Sequence, residues 1–178
     1  MPVENEIKFV LKKYDELEKK LAAKYGWHDI RQGYLNPNNR IREITHQSGL
    51  IEYVFSFKQR VPSGRMIEIE SDEITKDNFE HLWEFTKERL FKRRSSVFLS
   101  PELRWDIDFP RWANGAKHFA MAEIEMPEEM DDPPFILPEL KSFIAFQVPR
   151  DDHRWSARKI SNDKHAKELA KELGRKLK

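Results

Sequence analysis

The chain contains no cysteine, which excludes a disulfide framework, a thiolate metal site and a cysteine nucleophile, and permits a reducing compartment. No apolar run approaches the roughly 18 residues of a membrane-spanning helix, and Met1 to Lys13 lacks the apolar core of a signal peptide, so a soluble, cytoplasmic protein is expected. A charge excess is missing too: 32 Lys and Arg face 31 Asp and Glu, a net charge of +1. Global attraction to a nucleic-acid polymer or an anionic membrane is therefore not expected, and any charge-driven function must come from local arrangement. Glycine is scarce, at six residues, and forms no Walker loop, no Gly-x-Gly-x-x-Gly and no Gly-x-Ser-x-Gly elbow. His28, His46, His81, His118, His153 and His165 show no short ligand spacing and read as surface or structural residues rather than a zinc site.

What is present is alternation. In 178 residues, 39% hydrophobic and 35% charged, a single domain able to bury a core is expected over 1–178. Eight segments alternate with strand period: Glu4 to Leu11, Asp29 to Leu35, Arg40 to His46, Glu52 to Arg60, Arg65 to Ile74, Phe91 to Leu99, Leu103 to Phe109 and His118 to Met126. Breaks at Asn36 to Asn39, Val61 to Gly64 and Ala113 to Gly115 supply turn chemistry, and Met126 to Pro138 reads as a loop. Three helical stripes interrupt the strands. Tyr14, Leu17, Leu21 and Tyr25 stop at Gly26, a residue suited to a left-handed C-terminal cap. Phe79, Leu82, Trp83, Thr86 and Leu90 form the second, and Ala166, Leu169, Ala170, Leu173 and Leu177 an amphipathic C-terminal helix at about 162–177. Trp105, Trp112 and Trp155 read as core or barrel-end packing.

Side chains two apart on a strand share a face. Glu4, Glu6 and Lys8 therefore lie together, as do Arg40 with Arg42, Glu68 with Glu70, Lys92 with Arg94, Asp106 with Asp108, and Glu123 with Glu125; Lys58 is out of phase with Phe55 and Phe57. Two architectures satisfy this pattern. One is a set of sheets with a face in water. The other is a closed barrel with charges inside and helices outside, whose mixture of cations and carboxylates would suit a polyanion with divalent cations.

The ordered motifs resemble a known family. Glu4-Asn5-Glu6-Ile7-Lys8-Phe9 matches the Glu-x-Glu-x-Lys signature of the CYTH superfamily, the triphosphate tunnel metalloenzymes. In family order follow Gln32-Gly33-Tyr34-Leu35, similar to the bacterial inorganic triphosphatase branch, then Arg40-Ile41-Arg42, Phe55-Ser56-Phe57-Lys58, Lys92-Arg93-Arg94, Trp105-Asp106-Ile107-Asp108-Phe109 and Ala122-Glu123-Ile124-Glu125. The chain departs from the pattern where Arg65 stands three before Glu68, at Gln147-Val148-Pro149, and at Arg154-Trp155-Ser156-Ala157.

The resemblance implies an α+β fold, an eight-stranded antiparallel β-barrel with flanking helices, enclosing a site that requires Mg2+ or Mn2+. It implies triphosphate binding by Lys8, Arg40, Arg42, Lys58, Lys92 and Arg94. Metal coordination would fall to Glu4, Glu6, Asp108, Glu123 and Glu125, with Glu68 and Glu70 as further acidic partners, and catalysis to Glu4, Glu6 and Lys92. The implied activity is triphosphate hydrolysis, on inorganic tripolyphosphate or a triphosphate-bearing organic compound. A class IV-like adenylate cyclase and a non-catalytic nucleotide or polyphosphate binder are the competing readings. The implied partner is a small triphosphate molecule, with a homodimer left open.

Overall fold

The computed structural model describes residues 5–12, 14–60, 66–71, 74–112, 115 and 118–176. Its elements in chain order are β1 (Glu6–Leu11), α1 (Tyr14–Tyr25), β2 (His28–Tyr34), β3 (Asn39–His46), β4 (Ile51–Arg60), β5 (Met66–Ser71), α2 (Lys76–Glu84), β6 (Glu88–Ser100), β7 (Leu103–Arg111), β8 (Ala120–Glu125), β9 (Ile144–Gln147), a 3-10 turn (His153–Trp155), α3 (Ala157–Ile160) and α4 (Asp163–Lys176). The strands form one antiparallel sheet in the order β5-β4-β3-β2-β6-β7-β8-β1-β9.

Two expectations about the barrel are corrected here. Among the described residues there are nine strands rather than eight, and the edge strands β5 and β9 do not pair, so the sheet is open. The additional strand is β9, whose Gln147, Phe146 and Ile144 lie against Phe9, Val10 and Leu11. Four residues at a sheet edge carry too little alternation to announce a strand.

Strand phase sorts the side chains. Ile7, Phe9 and Leu11 of β1, Trp105, Ile107 and Phe109 of β7, and Ala122 and Ile124 of β8 form one buried cluster with Leu17 and Leu21 of α1. Both leucines are fully buried, contributing roughly 2 kcal/mol each. At the other end of the sheet, Phe79 and Trp83 of α2 cover Ile41 of β3. These two helices take the outer face, as expected.

The C-terminal helix does not. Ala166, Leu169 and Leu173 of α4 pack with Trp155, Val10, Leu90 and Met121. The last three are in phase with Lys8, Lys92 and Glu123, so α4 sits on the charged face, over the end where that face turns apolar. Periodicity reveals that α4 is amphipathic, but not which surface it meets.

The second helix is shorter than its stripe. Thr75 caps its start, accepting from the Asn78 amide at 3.1 Å. It stops at Glu84, because Thr86 Oγ1 and Arg89 Nη2 both donate to the Trp83 carbonyl, at 2.7 and 2.8 Å, and consume it as the chain turns into β6. Leu90 accordingly belongs to a strand. Two glycines are required by geometry. Gly26 ends α1 with φ of 76°, and at Gly33 a Cβ would stand 2.6 Å from Thr86 Cγ2, so only glycine lets β2 approach that turn.

Candidate active site

The inner-phase side chains of the sheet line a cavity of about 570 Å³, which Val148 to Arg150, Asp152, His153 and Ser156 to Lys159 also border. Of the predicted anion-binding residues, all six line it: Lys8 from β1, Arg40 and Arg42 from β3, Lys58 from β4, and Lys92 and Arg94 from β6. Glu6, Glu68, Glu123 and Glu125 line it as well. Asp108 lies behind Lys92 and Arg94 and is buried. Glu4 lies outside the described residues; Glu70 is set opposite Ser56 by the β4–β5 register, and its side chain also lies outside them.

The charges are paired across strands. Lys8 Nζ meets Glu123 Oε1 at 2.8 Å and also the carboxylate of Glu6. Glu68 is shared by Lys58, at 3.0 Å, and Arg40. Arg42 Nη2 donates to Ser56 Oγ at 3.1 Å. Lys92 Nζ donates to Asp108 Oδ2 at 2.6 Å, and Arg94 grips the same carboxylate with Nε and Nη2 at 2.6 and 2.7 Å. Arg94 Nη1 also donates to Asp106 Oδ2 at 2.6 Å, while Ser96 Oγ donates to Asp106 Oδ1 at 2.6 Å.

Burial and neighbouring charge set the protonation states. Burial works against the charged form of Lys8, but Glu123 and Glu6 outweigh it and hold the ammonium above its ordinary range. Burial and the adjacent Arg94 push Lys92 down to about 8, with Asp108 opposing them. Burial would raise Asp108, yet Arg94 and Lys92 hold it well below the usual carboxylate range. Glu123 is likewise held low against burial, first by Lys8. Glu125 goes the other way, raised chiefly by burial.

Several wall residues were not assigned a role from sequence. Arg104 of β7 bridges Asp106, at 3.1 Å, and Glu125, at 2.5 Å. The alternation Arg104, Asp106, Asp108 carried that signal. Tyr34 lines the cavity and its hydroxyl accepts from Gln32 Nε2 at 2.7 Å. Arg150 comes from the loop after β9 and Arg158 and Lys159 from the single turn of α3, a segment too short for periodicity to mark a facing direction. Among the described residues on the wall, Lys and Arg outnumber Asp and Glu ten to six, so the cavity is electropositive within a nearly neutral chain.

The donor chemistry also suits a hard divalent cation. Glu6 and Glu123 converge on one ammonium, and Glu125 is set opposite Glu6 by the β1–β8 register. These are oxygen donors of the kind Mg2+ or Mn2+ takes. Asp108 and Glu68 are each held by two basic side chains instead. Among the described residues, no three His, Asp or Glu side chains are gathered as a ready metal cage.

No protein-family model matches the chain, and no curated protein does. Among solved structures, the crystal structure of the hypothetical protein NE1496 superposes with a TM-score of 0.50 at 23% identity, over 89% of this chain and 97% of that one. The crystal structure of the inorganic triphosphatase NE1496 aligns with a TM-score of 0.47 at 21% identity, over 90% and 95%. A putative adenylyl cyclase, HpAC1 from Hippeastrum, whose structure reveals a dominant triphosphatase activity, aligns with 0.42 at 14% identity, over 70% and 80%. The chain is thus built on the plan of the hypothetical protein NE1496, an α+β fold around one antiparallel sheet.

Proposed function

We propose that the chain is a divalent-metal-dependent triphosphate phosphohydrolase, acting on inorganic tripolyphosphate or a triphosphate-bearing organic compound. One observation carries the reading: six basic side chains from four strands line a single cavity opposite Glu6, Glu123 and Glu125. A compact polyanion needs several cationic donors converging from different directions. The family motifs in the sequence point the same way, and NE1496 is itself an inorganic triphosphatase. Fold alone does not fix activity, so the weight rests on the site.

Several of the site's cations are held by its carboxylates, and binding becomes an exchange. Arg40 and Lys58 leave Glu68 for phosphate oxygens, and Lys8 leaves Glu6 and Glu123. The carboxylates released on the β1–β8 side are then the ones positioned for Mg2+ or Mn2+. Such an ion supplies charge neutralisation and a bound water of lowered pKa. Arg42, buried and fixed by Ser56, orients the anion. Lys92 and Arg94, held in place by Asp108, stabilise the charge that accumulates on the leaving phosphate. Positioning and electrostatics carry most of the rate enhancement.

The test is orthophosphate release from tripolyphosphate with Mg2+ or Mn2+ and a chelator control. Chelator-sensitive release is expected. Cyclic AMP from ATP without phosphate release would replace the reading by a cyclase, and tight binding without product by a binding module.

A further inference from the structure

No histidine spacing along the chain suggests a metal, yet the β2–β3 ladder sets His28 directly opposite His46. Directly opposed side chains on antiparallel strands have Cβ atoms about 5 Å apart, within the span that one ion can bridge. The two imidazole rings stand with centroids 5.5 Å apart, tilted by 39°. Both residues are half-buried and so reachable from solvent. They lie in phase with Arg42 and Gln32, at the end of the charged face away from α4.

The surroundings favour ligation. Glu52 Oε2 stands 3.3 Å from Nε2 of His46. A carboxylate on one ring nitrogen is the usual partner of a metal-bound imidazole, and it leaves Nδ1 to bind. Burial, and then the positive charge of Arg94, push His28 down to about 4, while Asp106 and Asp108 pull the other way. His28 is therefore a neutral ligand at neutral pH, with no proton to displace.

We propose that His28 and His46 chelate one divalent transition-metal ion of the Zn2+, Ni2+ or Cu2+ class across the β2–β3 ladder, with Glu52 orienting His46 and water completing the coordination. Imidazole suits these borderline ions, whereas Mg2+ and Mn2+ prefer the oxygen donors Glu6, Glu123 and Glu125. The site differs in chemistry from the proposed triphosphate site, which it adjoins where the β2–β6 ladder sets His28 opposite Arg94, and it does not depend on that reading.

The experiment adds Zn2+ alone to the full chain, without phosphate compounds, and follows histidine side-chain NMR together with calorimetry. The His28 and His46 rings are expected to shift together and saturate at one equivalent, with His81, His118, His153 and His165 unmoved. Excess Mg2+ should neither reproduce nor abolish the shift. Glu52→Gln should weaken binding about 10-fold, the loss typical of an orienting partner, and His28→Gln or His46→Gln by at least that much. Zn2+ shifts that spare both rings, or variants that bind Zn2+ as the parent does, would overturn the proposal. Where a variant does not fold, the ring shifts of the parent chain decide.

Discussion

Arg94 holds Asp108 through two parallel hydrogen bonds, Nε to Oδ1 at 2.6 Å and Nη2 to Oδ2 at 2.7 Å, and Lys92 adds a third to Oδ2. One buried carboxylate thus answers a buried ammonium and a partly buried guanidinium. Asp108→Asn should destabilise the fold by about 3 kcal/mol, because buried Lys92 loses the carboxylate it donates to and Arg94 is left with Asp106. Urea denaturation measures the loss, and tripolyphosphate should restore part of it by supplying the missing negative charge.

Lys58 and Arg40 share Glu68. Removing Lys58 leaves that acid neutralised by Arg40, so Lys58→Met should keep the melting temperature near that of the parent. Its kcat/KM for tripolyphosphate should nevertheless fall on the order of 100-fold, as expected when one preorganised charge is removed from a phosphoryl-transfer site. Unchanged kinetics would remove Lys58 from the substrate-binding set.

Glu6 meets the same ammonium as Glu123. Glu6→Gln keeps a polar oxygen but loses the charge that attracts a divalent ion. The Mg2+ concentration giving half-maximal phosphate release should rise on the order of tenfold or more, a loss seen even for groups one layer further from a metal. A metal titration that overlays the parent's would exclude Glu6 as a ligand.

Gly33 leaves no room for a methyl group against Thr86. Gly33→Ala should cost about 2 kcal/mol through overpacking. Adding Thr86→Ser, which deletes the clashing Cγ2, should recover part of it in thermal melts.

His118 is buried beside Trp112 and Phe119, with Asp163 and Lys167 nearby. Burial pushes it down to about 4, with Asp163 opposing. Unfolded, the ring takes up a proton near pH 6.5; folded, only near pH 4. Stability should therefore fall as pH drops through that window, by about 2 kcal/mol once solvent screening of a partly hydrated ring is allowed for. His118→Phe should flatten the profile measured by urea denaturation from pH 7 to pH 4.

Strand phase was legible in the sequence because alternation of charge and bulk is a local property. It told which side of β1, β3, β6, β7 and β8 carries charge, and those side chains meet in one cavity. Adjacency was not legible. Nothing local says that β2 lies between β3 and β6, so His28 and His46 looked scattered although the register sets them opposite. For the same reason β9, defined only by its pairing with β1, was not among the eight expected strands, and Arg158 and Lys159 gave no sign that they border the cavity. Closure of the sheet depends on its two edges meeting, which no single strand encodes.

The strand order also has a consequence for synthesis. β2 to β5 are chain neighbours and can pair as soon as they emerge, bringing Arg40, Arg42 and Lys58 together early. β1 must wait for β8, since Lys8 and Glu123 are 115 positions apart, and then for β9 on its other side. Contacts between distant segments form slowly, and chains fold in units as they leave the ribosome. The nascent chain can therefore hold Arg40, Arg42 and Lys58 together with Glu68 before Lys8, Glu6 and Glu123 are brought into one place.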